Sequence, residues 1–475
     1  DYFQKQRKQK VLVEFSSPNI AKTFHVGHYR STVIGNFISN IFEGAGHEVH
    51  RINYIGDWGM QVALIALGFK KYGSYELLHS NPLSHLLDVY VKISAECDEN
   101  PDMVTQGNKI FSDMENGSQE VIQFWKIIRN VSLKEYQKLY DEINVRFTEY
   151  TGESRYHIKA KELIKTLQNS SRLQKNLKGN FYIELAGSDW IEDVPEIKHK
   201  ATLVRGDGTT VYLARDVTAA IDRYEIYNFD RLIYVTDESQ KFHFQQLFAV
   251  LDTLGYAWAK KSETGLQHKT FGRISNMSTR KGEMIFFTDV LEEAMHHINL
   301  DRLQHTTRKQ TEDTSDTAKV LALSGLICHD FKARLSKGYK FSWTAALSWK
   351  GNTGLFLQYT HCRLCSLERN CGVTINPSTD TTELVLQKYE DVVCMIDHLA
   401  CYSDALETSY SQLEPSFLLK YMFELCHLTA KALRGCNIKN SPQMEGEALL
   451  LSFHCTKITL ANAMKLLGIS PLGKD

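Results

Sequence analysis

The sequence has no excess of charge of either sign. Its 55 Lys and Arg residues face 56 Asp and Glu residues, which leaves a formal charge of −1. This balance excludes a uniformly basic nucleic-acid binder and a polyacidic tail, although it still permits a local basic surface. Proline is scarce, with 8 in 475 residues, so long helices are permitted. No apolar run approaches the roughly 18 residues of a membrane-spanning helix, so we expect no membrane partner.

The ten cysteines are too few and too scattered for a disulfide scaffold. Their one CxxC pair, Cys362 and Cys365, lies in a helical pattern and has no second CxxC or histidine pair beside it. Ordinary buried thiols in a reducing compartment are the simplest interpretation, and a metal site is the alternative. We therefore expect no structural metal.

The first hundred residues alternate between strand and helix patterns. The segment 11–15 predicts a buried strand, 27–43 an amphipathic helix that ends near two glycines, and 47–54 a second strand. Strand, helix and strand in this order are typical of a parallel α/β sheet.

Amphipathic helical patterns then dominate residues 74–190, which predicts a helical insertion in the α/β domain. The α/β pattern resumes afterwards, and from about residue 288 onward nearly every segment is helical. The resumed part contains these predicted elements: a strand at 210–214, a helix at 217–224, a strand at 231–235 and a helix at 243–254.

A short motif with two histidines follows the first predicted strand. His25 and His28 flank Gly27 at the start of the predicted helix, and Lys22 lies just before them. The free N–H groups at a helix start attract phosphate, and two imidazoles with a lysine suit a triphosphate. A chance match, a metal-binding pair and helix capping are the alternatives for this motif alone.

A second segment combines small residues with paired cations. Residues 277–282 read Met-Ser-Thr-Arg-Lys-Gly, and they follow the last predicted strand of the α/β region. Alone, this segment is interpreted most simply as a solvated basic turn. Together with the histidine motif in one α/β domain, it becomes specific for nucleotide chemistry.

These two segments resemble the HIGH and KMSKS signatures of class I aminoacyl-tRNA synthetases, and arginyl-tRNA synthetases are the more similar family. Further segments carry the same resemblance, and the segment 53–61 looks most like animal mitochondrial members. These further segments are 14–28 with its Ser-Ser-Pro-Asn, 56–59 with Gly-Asp-Trp-Gly, 212–216 with Tyr-Leu-Ala-Arg-Asp, and 356–363 with Phe-Leu-Gln-Tyr-Thr-His-Cys-Arg.

The resemblance implies a Rossmann-type catalytic domain with a parallel sheet over residues 1–340, including the helical insertion. It implies an all-α anticodon-binding bundle over residues 341–475, with Tyr359 and Arg363 as candidate tRNA contacts. The family also has an N-terminal domain for the tRNA elbow, and the ten residues before the first predicted strand are too few to form one.

The resemblance also implies site residues, position by position. Glu14 and Asp216 are suited to the substrate guanidinium, because it is a planar, permanently charged fork of donors. The implied arginine site is Glu14, Ser17, Pro18, Asn19, His28, Tyr212, Asp216 and Gln240. Asp216 as a helix N-cap and Tyr212 as a core aromatic residue are the structural alternatives.

For ATP, the resemblance implies His25, Gly27 and His28, with Met277, Ser278 and Thr279 from the second motif. The implied catalytic residues are Lys22, His25, Gly27, His28, Arg280 and Lys281. Asn276 and Thr279 stand where the family signature has lysines, so we interpret Lys22 as the substitute cation at the α-phosphate.

The predicted activity is ATP-dependent ligation of arginine to its tRNA, with Mg²⁺ accompanying the triphosphate. Arginine, ATP and the tRNA are the expected partners of a monomer in the mitochondrial matrix, with the cytoplasm as the alternative compartment. Rival interpretations are a class I synthetase for lysine and a catalytically silent tRNA-binding paralogue. The absence of GxGxxG at the first strand–helix turn argues against a dinucleotide-dependent oxidoreductase.

Overall fold

The computed structural model describes residues 7–170, 172–185, 187–191, 199–206, 208–263, 265–275, 286–304, 314–375 and 386–473. It divides the chain into two compact units, which are described separately. The sheet unit comprises Arg7–Gly35 and His47–Thr270. The helical unit comprises Asn36–Gly46 and the described residues from Phe271 onward.

A parallel sheet organises the sheet unit. Its five strands lie in the order β3-β2-β1-β7-β8, and β1 pairs in parallel with both β2 and β7. Residues 11–14 of β1 are buried, as expected for a central parallel strand. A smaller sheet has the order β4-β5-β6. The strands are β1 (Lys10–Glu14), β2 (Glu48–Ile55), β3 (Glu149–Gly152), β4 (Gln174–Lys175), β5 (Phe181–Glu184), β6 (Lys200–Val204), β7 (Arg231–Asp237) and β8 (Leu266–Phe271).

The first helix packs closely on the central strand. A Cβ atom on Gly35 would lie 2.1 Å from Cγ of Phe15, so only glycine permits this approach. The helices that begin in this unit are α1 (Val26–Gly44), α2 (Met60–Tyr72), α3 (Tyr75–Ser80), α4 (Pro82–Glu99), α5 (Pro101–Glu115), α6 (Gln119–Glu142), α7 (His157–Asn169), α8 (Tyr212–Tyr227) and α9 (Lys241–Thr253). The parallel α/β prediction is confirmed.

The predicted insertion at 74–190 includes one strand of the main sheet. β3 lies within that range and pairs in parallel with β2, so the continuous helical part is α3 to α6. These helices share a buried apolar cluster with the sheet, to which Ile55, Ile65 and Ile128 belong.

The strand predicted at 210–214 is wrong. Thr210 makes only an isolated antiparallel bridge to Val204, and α8 begins at Tyr212. Leu213, Ala214 and Val217 are buried on one face of that helix, so the apolar period of a helix already starts at Leu213.

In the helical unit, the described residues from about 288 onward are nearly all helical, as predicted. The exception is the short strand β10 (Tyr339–Lys340), which pairs in parallel with β9 (Ile274–Ser275). Leu355, Leu418, Met422 and Phe453 lie in its core. Its helices are α10 (Phe287–Gln304), α11 (Thr314–Phe331), α12 (Trp343–Leu347), α13 (Gly354–Asn370), α14 (Glu390–Ala400), α15 (Tyr402–Gln412), α16 (Pro415–Gly435) and α17 (Gln443–Leu466). Within the described ranges, no helix is both long and apolar enough to cross a bilayer.

Candidate active site

The loop between β1 and α1, residues 16–25, is the signature loop, and its backbone is strained. Ser16, Ser17 and Ala21 have φ angles of 70°, 48° and 56°, in the left-handed region that residues with a Cβ rarely adopt. Each such residue costs about 1–3 kcal/mol, and strain of this kind concentrates at functional sites. The loop is held at the end of β2, where Ile20 N donates to the carbonyl oxygen of Gly56 at 3.1 Å.

The two histidines of the motif stack on each other at the start of α1. The ring centroids of His25 and His28 are 3.8 Å apart with 20° between the planes, and Gly27 N donates to Nδ1 of His25 at 3.1 Å. Burial, with the neighbouring His25 and Lys22, lowers the pKa of His28 to about 3. Burial and Lys22 also lower the pKa of His25. Both rings are therefore neutral near pH 7, and each offers one N–H donor to an anion.

Glu14 and Asp216 come together at the carboxyl edge of the sheet. Glu14 is the last residue of β1 and is buried, and Asp216 lies in the second turn of α8. Burial raises the pKa of Glu14, the ion pair with Arg223 opposes this, and the negative charge of Asp216 adds to the rise. The two carboxylates thus interact electrostatically, and their joint role in binding a guanidinium stays a prediction.

Each carboxylate already has a cationic or polar partner. Glu14 forms an ion pair with the buried guanidinium of Arg223, whose central carbon lies 5.1 Å from the ring centroid of Tyr54. Asp216 Oδ2 lies 2.8 Å from Nε2 of His243. Glu14 is thus paired with a guanidinium of the protein itself, whereas Asp216 is paired with an imidazole.

One other predicted pocket residue, Tyr212, lies beside His243, the partner of Asp216. Tyr212 is 56% exposed, and its ring centroid is 5.0 Å from that of His243. Asn19 and Gln240 are exposed; Asn19 lies in the signature loop, and Gln240 closes a 3₁₀ turn after β7. Exposure excludes the core role for Tyr212. The position of Asp216 inside α8, whose N-cap is Val211, excludes the capping role.

Two family models match the chain. The model described as "tRNA synthetases class I (R), catalytic domain" matches residues 1–343, and the one described as "DALR anticodon binding domain" matches residues 357–474. The chain belongs to the arginyl-tRNA synthetase family. The expected fold, a class I parallel-sheet domain followed by an all-α anticodon-binding domain, is confirmed.

Similar proteins of the arginyl-tRNA synthetase family cover nearly the whole chain. A probable mitochondrial arginine–tRNA ligase of Bos taurus is 42% identical over 467 residues, which are 98% of this chain and 78% of the relative. The cytoplasmic arginine–tRNA ligase of Saccharomyces cerevisiae is 36% identical over 476 residues, with 98% and 76% covered. The crystal structure of the Plasmodium falciparum arginyl-tRNA synthetase matches with a TM-score of 0.80 at 26% identity, covering 99% of this chain and 78% of that one.

The structure adds a residue that sequence reasoning left without a role. Asp57, from the Gly-Asp-Trp-Gly segment, is fully buried after β2. Its carboxylate accepts from Nε of Arg129 at 2.6 Å and from the N and Oγ of Ser154 at 2.8 Å. Asp57 therefore joins the sheet to α6 and to the turn after β3. The Gly-Asp-Trp-Gly motif pointed to Asp57 in the sequence, but Arg129 and Ser154 are too distant in sequence to be predicted as its partners.

A second carboxylate that the sequence analysis missed, Glu153, interacts electrostatically with Asp57. Glu153 pairs with Arg215 at 2.8 Å. Burial raises the pKa of Glu153 to about 7, although Arg215 acts in the opposite direction and Asp216 adds to the rise. The sheet edge of this arginyl-tRNA synthetase fold thus concentrates carboxylates and guanidinium groups away from water.

The remaining predicted residues fall into two groups. Met277, Ser278, Thr279, Arg280 and Lys281 lie outside the described residues. Tyr359, which is 50% exposed, and Arg363 lie one turn apart on α13, with the guanidinium carbon 5.7 Å from the tyrosine ring centroid.

The CxxC cysteines on α13 are both free thiols, of which Cys362 is buried. Among the residues that the structure describes, no group of three or more His, Cys, Asp or Glu side chains could hold a metal ion.

Proposed function

We propose that this chain ligates L-arginine to its tRNA through an arginyl-adenylate. The observation that carries the proposal is the pair Glu14 and Asp216 at the carboxyl edge of a parallel sheet, where β1 leads into the loop that carries His25. Two carboxylates in a buried site favour a permanently charged guanidinium. The same edge of such a sheet is the usual ligand site in open α/β folds.

In this proposal, Asp216 binds the guanidinium of the substrate and Glu14 supports it from the position that Arg223 fixes. Tyr212 covers the side chain of the substrate from α8. Ser17, Pro18, Asn19, His28 and Gln240 surround its α-amino and carboxylate groups. The exposed amides of Asn19 and Gln240 supply donors as well as acceptors, which both groups of an amino acid require.

ATP is the second substrate of a class I synthetase, and His25, Gly27 and His28 are the proposed contacts in the described part of the chain. Met277, Ser278 and Thr279 are the proposed contacts from the second motif. Because their pKa values are lowered, His25 and His28 donate to the phosphates as neutral rings and do not first have to be protonated. Mg²⁺ enters with the triphosphate of the substrate.

The chemistry needs no covalent enzyme intermediate. The carboxylate of arginine attacks the α-phosphorus of ATP, and pyrophosphate leaves. A ribose hydroxyl of the terminal adenosine of the tRNA then attacks the carbonyl carbon of the adenylate, and AMP leaves. Lys22 stabilises the growing negative charge at the α-phosphate, and Arg280 and Lys281 do so at the pyrophosphate.

For the helical region, we propose that residues 341–475 bind the anticodon, while residues 1–340 form the catalytic domain. Tyr359 would stack on a base, and Arg363 would pair with a phosphate, since RNA loops are recognised by such contacts.

We further propose that the protein acts as a monomer in the mitochondrial matrix. The compartment is proposed because the relatives at 41–42% identity include mitochondrial ligases. The cytoplasm is the alternative, since cytoplasmic ligases match at 36%.

The test is amino-acid-dependent exchange of pyrophosphate into ATP, measured with and without the tRNA for arginine, with amino acids supplied one at a time. Arginine should support exchange and lysine should not. Exchange that lysine supports and arginine does not would identify the protein as a class I synthetase for lysine. Binding of tRNA without any exchange would favour the silent paralogue.

A further inference from the structure

One face of α6 is buried against the signature loop. Ser132, Tyr136 and Tyr140 follow each other at intervals of four residues, so their side chains lie on the same face of the helix. They have relative exposures of 0%, 1% and 1%. Each of the three hydroxyl groups forms a hydrogen bond with the loop, as buried polar groups require.

Tyr136 makes the contact closest to Lys22. Its hydroxyl donates to the carbonyl oxygens of Asn19 and of Lys22, both at 2.6 Å. Burial raises the pKa of Tyr136, so the hydroxyl keeps the proton that it donates. One O–H group thus ties together the first and last residues of a four-residue stretch that contains the strained Ala21.

The neighbouring hydroxyls hold the rest of the strained backbone. Ser132 Oγ accepts from the N–H of Ala21 at 3.0 Å. Tyr140 shares a hydrogen bond of 2.7 Å with Oγ of Ser16, and Nδ2 of Asn53 donates to the Tyr140 oxygen at 3.0 Å. Ser16 and Ala21 both have left-handed backbones, so α6 contacts two of the three strained positions directly.

The helix itself is fixed to the sheet at a second point. Besides the bond from Arg129 to the carboxylate of Asp57, Nε1 of Trp125 donates to the carbonyl oxygen of Asp57 at 2.6 Å. Residues 125 to 140 of α6 therefore connect the end of β2 to the signature loop. The insertion also contacts the side chain of Lys22: the ammonium of Lys22 lies 5.9 Å from the ring centroid of Tyr90 on α4.

From these contacts we infer that α6 is part of the apparatus for adenylate formation, with Tyr136 as a positioning residue that fixes the backbone of Lys22. The inference rests on the proposed role of Lys22 at the α-phosphate. A lysine that stabilises charge only in the transition state must be held in place before the reaction. A displacement of about 1 Å can cost about 100-fold in rate.

Tyr136→Phe removes one oxygen atom and leaves the ring in the core. The control is Tyr182→Phe, which removes a partly buried hydroxyl that donates to Oε1 of Gln174 at 2.8 Å, outside the signature loop. With tRNA present, Tyr136→Phe should lower the kcat of arginine-dependent exchange about 10- to 100-fold, while the KM for arginine stays within about twofold. A purely structural role would lower the melting temperature of both variants and leave kcat unchanged, and that result would overturn the inference.

A double-mutant comparison tests whether Tyr136 acts through Lys22. In a Lys22→Ala background, adding Tyr136→Phe should change kcat by less than about twofold, because the group that it positions is gone. Full additivity of the two losses would show that Tyr136 acts elsewhere. If Tyr136→Phe does not fold, Ser132→Ala replaces it, and a loss of kcat that also vanishes in the Lys22→Ala background is expected.

Amide hydrogen exchange separates this inference from the proposed activity. Peptides from residues 16–25 should exchange faster in Tyr136→Phe than in the native protein or Tyr182→Phe, whatever amino acid the enzyme uses. Unchanged exchange would overturn the positioning role. Native protein without arginine-dependent activity, but with this faster exchange, would refute the arginine assignment alone.

Discussion

The sheet edge and α13 of the helical unit differ in how their candidate binding residues are exposed and held. At the sheet edge, Glu14, Asp57 and Arg223 are almost completely buried, and their charges are balanced by partners from distant segments. On α13, one side is packed while Tyr359 remains half exposed, and the guanidinium carbon of Arg363 on the next turn lies 5.7 Å from its ring centroid. The first arrangement is fixed by ion pairs, and the second by apolar helix packing.

The difference follows from the size of what each surface is proposed to bind. A small charged substrate is distinguished by buried groups that are already oriented, since desolvated charges are costly when they are unpaired. A large RNA is bound by exposed rings and cations on a firm helix, because stacking tolerates variation in approach. Substitutions at the sheet edge should therefore change rate and specificity, and those on α13 should change RNA affinity.

The largest expected effect comes from the signature loop. Lys22→Ala should lower the rate of adenylate formation about 10²- to 10³-fold, while arginine binding is nearly unchanged, because the charge at the α-phosphate grows only in the transition state. Pre-steady-state measurement of adenylate formation checks the rate, and arginine titration checks the binding. Lys92→Ala, at an exposed pair with Asp88, is the control and should keep the native rate. A native rate in Lys22→Ala would mean that another cation serves the α-phosphate.

The next effect concerns stability. Because the pKa of Glu153 is raised from 4.5 to about 7, the native state binds its proton more tightly than the unfolded state does. The stabilisation from the Glu153 proton is present in full below about pH 4.5. The free energy of unfolding should fall by about 3 kcal/mol as the pH rises from there to about 7. In Glu153→Gln this fall should disappear from urea unfolding curves measured between pH 4.5 and 7.5. The exposed Glu162→Gln should follow the native curve, and a native pH dependence in Glu153→Gln would refute the assignment.

The third effect tests the arginine pocket. Asp216→Asn keeps the shape but removes the charge, so the substrate should lose a charge-assisted bond of about 1.5–3 kcal/mol, or about 10- to 100-fold in kcat/KM for arginine. Lysine should stay a poor substrate, since an ammonium cannot pair with both carboxylates, and neutral citrulline should fail for lack of charge. Asp252→Asn, whose carboxylate accepts from Ser188 at 2.7 Å, is the matched control. Native kinetics in Asp216→Asn would place the pocket elsewhere.

The smallest effect lies on α13. Tyr359→Ala should raise the KM for tRNA about tenfold by removing a stacking surface, while the KM values for arginine and ATP are unchanged at saturating tRNA. Tyr359→Phe keeps the ring and should restore native affinity. Steady-state charging with varied tRNA measures both variants. An equal loss in Tyr359→Phe would show that the hydroxyl, and not the ring, contacts the RNA.

The sequence alone determined the parallel α/β class of the sheet unit, while its candidate site residues stay a prediction. β1 and α1 lie within one residue of their predicted bounds, because a short apolar strand and a glycine-terminated amphipathic helix are local patterns. The signature motifs predicted the family, which the comparisons confirmed. By contrast, the strand predicted at 210–214 is wrong, since a few alternating residues do not distinguish a strand from the first turn of a helix.

Only the tertiary structure decided which charges are paired. Nothing local in the sequence indicates that Arg223 pairs with Glu14 across 209 positions, that His243 pairs with Asp216, or that Tyr136 holds the backbone of Lys22 from a helix of the insertion. Such contacts depend on which strand ends and helix faces meet, and that is set by packing of the whole core rather than by neighbouring residues. The sequence therefore predicts candidate groups for the reaction, and the fold determines their charge states and their positions.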